Sequence, residues 1–195
     1  MRLRRGPGRR LEVPAGARPT TGRAREALLS RWQERLPGAV VLDLFAGSGA
    51  VGLGALARGA AEVLFVESSE SAIAALRRNA AAMGVAGRCR ILRLGLPGGL
   101  GRLAPEWSAR LDLAFADPPY GFAGWGELLA AVSPLLASDA ELAAEHSRRE
   151  SLPERAGRLV AVDRRLYGET ALSFYRREKP GEAYPEADLE DRPVP

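Results

Sequence analysis

The sequence has few residues that form cross-links or bind metals, and it has no long apolar segment. Its 195 residues include one cysteine and one histidine. An internal disulfide is therefore excluded, and a four-ligand zinc site has too few donors. No apolar run approaches the roughly 20 residues that span a bilayer, and the start, MRLRRGPGRR, lacks the apolar stretch of a secretory signal. We expect a cytoplasmic protein without a metal or a membrane partner.

Charge is distributed unevenly along the chain. Residues 1–37 hold ten arginines against three acidic residues, whereas residues 178–195 hold six acidic residues against Lys179 and Arg192. Arginine supplies 27 of the 28 basic residues, a bias that a GC-rich genome alone would produce. The concentration of positive charge near the start, rather than the arginine content, indicates a nucleic-acid partner.

Local composition divides the chain into three parts. Residues 1–22 are rich in proline and glycine, which predicts an extended basic arm. Residues 23–177 carry regular apolar patterns and form the predicted domain, which begins with a helix over residues 23–36 that Thr20 or Thr21 can cap. Residues 178–195 are rich in Pro, Glu and Asp and predict a disordered acidic tail.

Apolar strands and amphipathic helices alternate from Ala39 onward, as in an open, mostly parallel α/β sheet. The predicted strands cover residues 40–44, 63–67, 90–94, 111–116 and 140–144, and the predicted helices end near residues 58, 84 and 136. Residues 159–166 and 170–176 flank Tyr167-Gly168-Glu169 and predict a terminal antiparallel hairpin. An all-parallel dinucleotide-binding fold does not need such a hairpin.

A glycine loop follows the first strand, at Phe45-Ala46-Gly47-Ser48-Gly49. Open α/β sheets bind ligands beyond the carboxyl ends of their strands, and glycine allows a tight turn and close ligand approach. Glu67 ends the second strand, where its carboxylate can accept hydrogen bonds from ribose hydroxyls. The pattern predicts a nucleoside cofactor, bound by Asp43, Phe45, Ala46, Gly47, Gly49, Glu67 and Ser68.

The residues around this loop favour S-adenosyl-L-methionine over NAD. Gly47, Gly49 and Gly52 meet the spacing of a pyrophosphate loop, but Asp43 would repel a diphosphate and could instead bind a methionyl ammonium group. A purely structural explanation also remains open, because these glycines could simply allow the helix to pack closely on the strand.

The fourth predicted strand ends in Asp117-Pro118-Pro119-Tyr120. Two prolines fix the backbone and remove two N–H donors, so carbonyl oxygens remain as the polar groups. If Asp117 and the Pro118 carbonyl each accept one N–H of an exocyclic base amine, the nitrogen lone pair points at a methyl donor. Tyr120 can stack on the base. We therefore predict these four residues as the catalytic residues, although Asp-Pro-Pro also occurs in ordinary turns and Phe122 and Trp125 suit core packing.

With these motifs in place, the chain resembles the bacterial 16S rRNA guanine-N2 methyltransferases of the RsmD type, whose family name carries guanine 966. The likeness runs from about Arg4 to Arg177 and includes the arginine-rich start and the Tyr167-Gly168-Glu169-Thr170 hairpin. It implies a Rossmann-like class I S-adenosylmethionine-dependent fold with a seven-stranded sheet, and 16S rRNA within an assembling 30S particle as the partner. The predicted RNA-binding residues are Arg4, Arg5, Arg9, Arg10, Arg18, Arg23 and Arg25.

The resemblance fails at one place and leaves two residues to interpret. The family usually has Asp or Asn followed by Ala after the third strand, where this chain reads Leu94-Gly95-Leu96, so the adenine contact is lost or comes from backbone. Glu145 resembles a family acid. His146, the only histidine, is predicted as a solvated loop residue rather than a proton carrier.

Three other functions compete with rRNA methylation. Adenine-N6 methylation of DNA or RNA uses the same Asp-Pro-Pro-Tyr chemistry, but no DNA-reading domain is visible. A catalytically silent RNA-binding assembly protein would not need the intact tetrad at Asp117 to Tyr120. NAD-dependent oxidoreduction is disfavoured by Asp43 and by the lack of a hydride-transfer partner.

The arm arginines generate a prediction about salt. Replacing Arg9 with glutamine is expected to weaken RNA binding and to reduce the slope of log affinity against log salt by about one ion, because one phosphate contact is lost. Lys179→Gln in the acidic tail is the control. Binding titrations across a salt series measure the slope, and an unchanged slope after deletion of residues 1–17 would contradict the prediction.

Overall fold

The structure is a computed structural model that describes residues 22–178 and 192–193. The helices are α1 (Gly22–Arg31), α2 (Ala50–Ala57), α3 (Glu70–Ala82), α4 (Ala104–Trp107) and α5 (Trp125–Val132). The strands are β1 (Val40–Leu44), β2 (Glu62–Glu67), β3 (Cys89–Arg93), β4 (Leu111–Ala116), β5 (Leu136–Ser147), β6 (Arg155–Ala156), β7 (Leu159–Tyr167), β8 (Thr170–Arg177) and β9 (Arg192–Pro193). No helix of this described part is long and apolar enough to cross a bilayer.

The strands form one mixed sheet. Their order is β3-β2-β1-β4-β5-β8-β7-β6, and β9 pairs with β7. Neighbouring strands from β3 to β5 are parallel, whereas β8 runs antiparallel to both β5 and β7. The chain order reverses between β1 and β4, which makes that pair the topological switch point of the sheet. The predicted α/β class with a terminal antiparallel hairpin is confirmed.

Two apolar layers enclose the sheet. One layer packs α1, α2 and α3 against residues such as Phe65 and Phe174, and the other packs α4 and α5 against residues such as Leu42 and Tyr175. The central strands β1 and β4 are almost wholly buried because both of their faces are covered. Their continuous apolar runs follow from this double burial.

Some predicted boundaries differ from the structure. Strand β5 extends over Leu136–Ser147 rather than residues 140–144, because its pairing with β4 begins at Leu136 and its pairing with β8 continues to Ser147. Helix α5 ends at Val132 and a 3-10 turn with Pro134 follows, since proline cannot continue the hydrogen-bond ladder. Helix α1 likewise ends at Arg31 instead of residue 36.

A buried ion pair docks α1 on the sheet. The guanidinium of Arg31 donates from Nε (2.9 Å) and Nη2 (3.2 Å) to the carboxylate of Glu141 in β5, and it lies 3.8 Å from the ring centre of Phe174. The indole of Trp32 donates to the same carboxylate at 2.9 Å. Burial raises the pKa of Glu141, but Arg31 and Trp32 outweigh it and the pKa lies below its usual value. Arg31 also contacts Asp163 at 2.5 Å.

The ends of the chain are only partly described. Thr20, Thr21 and the arm arginines Arg4, Arg5, Arg9, Arg10 and Arg18 lie outside the described residues. The backbone N–H of Glu178 donates to the carbonyl oxygen of Arg158 at 2.8 Å, and Arg192–Pro193 pairs with Arg165 and Leu166. This short pairing within the predicted acidic tail was not expected from the sequence.

The docking of α1 can be tested by stability. Arg31→Met should lower the free energy of unfolding by about 3 kcal/mol, because it leaves the buried Glu141 carboxylate without its main counter-charge. Arg58→Ala is the matched control, since the pair of Arg58 with Glu26 is largely exposed and should contribute less than about 1 kcal/mol. Urea unfolding of both variants measures the difference, and equal losses would contradict the assignment.

Candidate active site

The switch point brings two loops together. Residues Leu44 and Ala116 are register partners at the carboxyl ends of β1 and β4, and the backbone N–H of Asp117 lies 3.5 Å from the carbonyl oxygen of Leu44. The glycine loop after β1 and the Asp117–Tyr120 loop after β4 therefore share one edge of the sheet. This is the edge at which open α/β folds bind ligands.

The two glycines of the loop have different roles. Both have positive φ, 53° at Gly47 and 81° at Gly49. A Cβ at Gly49 would lie 2.1 Å from Cδ1 of Leu76, so this glycine is needed for packing. A Cβ at Gly47 would meet no atom closer than 4.0 Å, which leaves space on that side for a ligand. Phe45 also has a positive φ of 57°, a conformation that costs a non-glycine residue about 1 kcal/mol or more.

Gly52, the third glycine of the spacing, serves packing and not a phosphate. A Cβ there would lie 2.3 Å from Cε1 of Phe65 in β2. Its backbone N–H donates to Oδ2 of Asp43 at 2.8 Å. The spacing of Gly47, Gly49 and Gly52 matches that of a pyrophosphate loop, but Gly52 is needed there because α2 packs closely against the sheet.

Asp43 is buried behind the glycine loop. Its side chain is 2% exposed. The pKa of Asp43 is raised to about 8, mainly by burial and also by the charges of Asp117 and Glu67, while the hydrogen bond from the Gly52 N–H opposes the shift. The sequence predicted the position of this carboxyl group at the head of the loop but not its contact with α2.

The carboxylate of Glu67 holds the edge of the site together. Its Oε2 accepts a hydrogen bond from the N–H of Gly47 at 2.8 Å. Its Oε1 accepts from the N–H groups of Ser68 at 2.7 Å and Ser69 at 2.8 Å. Ser69, rather than Ser68, caps α3. Three charge-assisted hydrogen bonds keep this carboxylate fixed beside the space at Gly47.

Solvent exposure increases along the Asp117-Pro118-Pro119-Tyr120 loop. Asp117 and Pro118 are half-buried, Pro119 is exposed, and the Tyr120 side chain is 70% exposed. A large exposed aromatic ring next to a rigid acceptor loop can stack on a flat ligand.

A row of contacting aromatic side chains packs next to this loop. Phe122 makes edge-on contacts with Phe45 (5.4 Å between ring centres) and Trp125 (5.6 Å), and Trp125 contacts His146 at 6.2 Å. Phe122 and Trp125 thus pack as core anchors. The contact of Phe45 with Phe122 joins the glycine loop to the acceptor loop.

A groove of about 380 Å³ opens next to Tyr120. Its walls come from the residues after the acceptor loop and from the segment after β5: Gly121, Phe122, Ala123, Trp125, Gly126, Glu150, Ser151 and Pro153. Sequence patterns did not indicate that Glu150, Ser151 and Pro153 would line a groove with the residues after the acceptor loop, because they are distant along the chain and carry no motif.

The end of β5 differs from the expectation. His146, predicted as a solvated loop residue, is buried at 6% exposure, so that prediction is wrong. Its Nε2 lies 2.8 Å from Oγ of Ser173, and its Nδ1 lies 2.8 Å from the carbonyl oxygen of Ser147. The antiparallel pairing of β5 with β8 supplies Ser173 and so buries the histidine. Glu145 is also buried, at 7% exposure.

The other predicted site residues lie away from this edge of the sheet or outside the residues that the structure describes. Arg23 is exposed and Arg25 is half-buried on α1. After β3, the backbone N–H of Leu94 donates to the carbonyl oxygen of Glu67 at 3.1 Å, so the backbone of the Leu94-Gly95-Leu96 segment runs close to the site. Across residues 22–178, no three His, Cys, Asp or Glu side chains are grouped to hold a metal ion.

The comparisons with known proteins agree with this geometry. The family model described as "Conserved hypothetical protein 95" matches residues 5–176. The chain belongs to this family. The resemblance to RsmD-type enzymes is confirmed.

The relatives cover most of the chain. The protein is 32% identical to ribosomal RNA small subunit methyltransferase D of Escherichia coli, over 90% of this chain and 88% of that protein. It is also 32% identical to YlbH of Bacillus subtilis, over 87% of this chain and 94% of that protein. A solved hypothetical protein from Thermus thermophilus is similar at 35% identity and a TM-score of 0.74, covering 87% of this chain and 94% of that one. The protein is a methyltransferase with a class I fold.

The raised pKa of Asp43 generates a pH prediction. The unfolded chain loses the Asp43 proton at a lower pH than the folded chain, so stability should fall as pH rises from about 4 toward about 8. Asp43→Asn removes this titration and keeps an oxygen that can accept the Gly52 N–H. The fall in Tm between pH 5 and 8.5 should shrink by about 4 °C or more, as 1 to 2 kcal/mol produces in a domain of this size. Identical pH profiles would contradict the burial of this group.

Proposed function

We propose that this protein transfers a methyl group from S-adenosylmethionine to the exocyclic N2 amine of a guanine in 16S rRNA. The observation that carries the proposal is the junction of two loops at the β1/β4 switch point. The glycine loop leaves open space at Gly47, and the Asp117–Tyr120 loop faces the same edge. The name of the Escherichia coli relative, ribosomal RNA small subunit methyltransferase D, supports rRNA as the substrate class.

The residues of the first loop suit a cationic nucleoside and not a diphosphate. Asp43 and Glu67 bring two carboxyl groups to the loop, and each already interacts with a backbone N–H of the segment that would otherwise face phosphate oxygens. A carboxylate such as Glu67 favours a cationic ligand and can accept ribose hydroxyls, whereas Asp43, with its pKa raised to about 8, contributes a hydrogen-bonding group rather than a full negative charge near pH 7. When bound, S-adenosylmethionine supplies an electrophilic methyl group on its sulfonium.

The residues of the second loop hold the amine. Asp117 and the carbonyl oxygen of Pro118 are suited to accept the two N–H groups of N2, so that the nitrogen lone pair is directed out of the base plane. Tyr120 stacks on the flipped guanine and fixes its plane. The chain then contributes mainly by positioning, which can account for several orders of magnitude in rate. The methylated amine loses its extra proton to water.

The RNA partner is supported by charge. Arg23 lies exposed at the start of α1, and the arm that precedes it carries most of the positive charge near the start of the chain. Arginine side chains bind phosphates along an RNA backbone. The acidic edge of the sheet would repel those phosphates. The arm arginines therefore hold the RNA of a 30S particle or assembly intermediate, and only a flipped base enters the site.

The proposal is tested by transfer of labelled methyl from S-adenosylmethionine to 16S rRNA, naked and in 30S particles, followed by nucleoside analysis. N2-methylguanosine is the expected product. N6-methyladenine would move the function to adenine methylation. No label on any RNA, together with a thermal shift by S-adenosylhomocysteine, would favour a silent RNA-binding protein.

The acceptor loop generates a mutational prediction. Asp117→Ala should lower kcat by about 100-fold, because the amine loses one of its two acceptors, while the thermal shift by S-adenosylhomocysteine stays the same. Glu127→Gln on the exposed face of α5 is the control and should change neither quantity. Equal losses of transfer and cofactor binding in Asp117→Ala would mean that Asp117 binds the cofactor instead of the base.

A further inference from the structure

Two buried glutamates lie on the same face of β5, four residues apart, in opposite surroundings. Glu141 is 2% exposed, and its carboxylate bonds to Arg31 and Trp32, with Arg176 at 3.5 Å. Glu145 is 7% exposed, and its Oε2 has no hydrogen-bond partner among the described residues. Glu141 thus has several polar partners, whereas among the described residues one buried oxygen of Glu145 has none.

The sheet register makes Asp117 the neighbour of Glu145. Ala116 pairs with Ala144 in the parallel β4–β5 ladder, so the next residues of the two strands, Asp117 and Glu145, lie side by side. Because side chains alternate along a strand, Glu145 projects to the face of Ala143, and the charge of Asp117, the first residue after β4, acts on it there. A carboxyl group with one unpaired buried oxygen among the described residues therefore lies beside the predicted acceptor of the target amine.

The charged groups around Glu145 favour its neutral form. Burial and, to a lesser extent, the charge of Asp117 together raise the pKa of Glu145 to about 8. From β8, the register partner is the apolar Leu172. On its own strand, Glu141 engages Arg31, and His146 turns to the opposite face to contact Ser173. Near pH 7, Glu145 therefore mostly carries a hydrogen that it can donate.

We propose that Glu145 is a positioning residue for Asp117. A hydrogen bond from the carboxyl group of Glu145 to the carboxylate of Asp117 fixes one Asp117 oxygen and turns the other toward the target amine. This inference rests on the proposed methyl transfer to an amine. A neutral donor keeps two adjacent carboxyl groups from repelling each other and leaves the acceptor ionised, which is the form that binds an N–H most strongly.

The inference predicts different activities for two variants of Glu145. Gln keeps a neutral donor, since its amide N–H can replace the carboxyl O–H, whereas Ala removes the donor. We expect Glu145→Ala to lower kcat about tenfold or more with an unchanged thermal shift by S-adenosylhomocysteine, and Glu145→Gln to retain kcat within about threefold at pH 7. Glu127→Gln again serves as the control.

The pH profile gives a readout that a merely structural residue would not change. Wild-type kcat should decline as pH rises through about 8, when Glu145 loses its hydrogen, and Glu145→Gln should lack that decline. Unfolding stability should follow the same sign, because a raised carboxyl pKa costs stability as pH rises toward 8. Glu145→Gln is therefore expected to be more stable than the wild type at pH 8.5.

The experiment combines transfer to 30S particles between pH 6 and 9 with an NMR titration of carboxyl-labelled glutamate. Wild-type rates in Glu145→Ala would overturn the inference, and so would Glu145→Gln rates as low as those of Glu145→Ala, because the latter outcome requires an ionised acid that accepts the proton. A wild type without transfer would refute the proposed function instead. The titration decides independently: Asp117→Asn must lower the pKa of Glu145, and an unchanged pKa would exclude their pairing.

Discussion

The structure depends on the parallel pairing of β1 with β4. The chain order reverses at this pair, so the helices that follow the two strands leave on opposite faces of the sheet and a crevice remains between their loops. The ladder from Val41↔Leu113 to Leu44↔Ala116 sets the two strand ends level with each other. A shift of this register would separate the glycine loop from Asp117, although every residue of both motifs would still be present.

The same edge concentrates carboxyl groups that the fold would not choose for stability. Glu67 receives three backbone N–H bonds, but Asp43 receives one and the buried Oε2 of Glu145 receives none from the described residues. Burying such groups costs free energy unless they stay neutral or find partners. This concentration of carboxyl groups suits the proposed ligands, a cationic methyl donor and an amine that donates hydrogen bonds. In the proposed function, RNA is bound by arginines elsewhere in the chain. The buried carboxyl groups at this edge therefore lower the stability of the fold while they suit the proposed function.

The sequence predicted the features that depend on local patterns. Strands β1 and β4 begin and end where their apolar runs do, and the turn at Gly168 falls between β7 and β8. The features that were missed depend on partners distant along the chain. Glu141 was predicted to lie in a strand, but its partner Arg31, 110 residues away, was not predicted, and His146 was predicted as a loop residue although Ser173 of β8 pairs with it. Apolar periodicity carries no information about such partners.

Glu141 and Glu145 show how a fold can assign roles that residue type cannot. Both are acids in one strand, both are buried, and a pattern treats them alike. The structure supplies Arg31 and Trp32 to Glu141, whereas among the described residues Glu145 has the charge of Asp117 and the apolar register partner Leu172. An apolar residue of similar size at position 145 would remove the cost of burying an unpartnered carboxyl group. The chain carries glutamate there, beside Asp117, the proposed acceptor of the amine, and the proposed reaction accounts for this placement where packing does not.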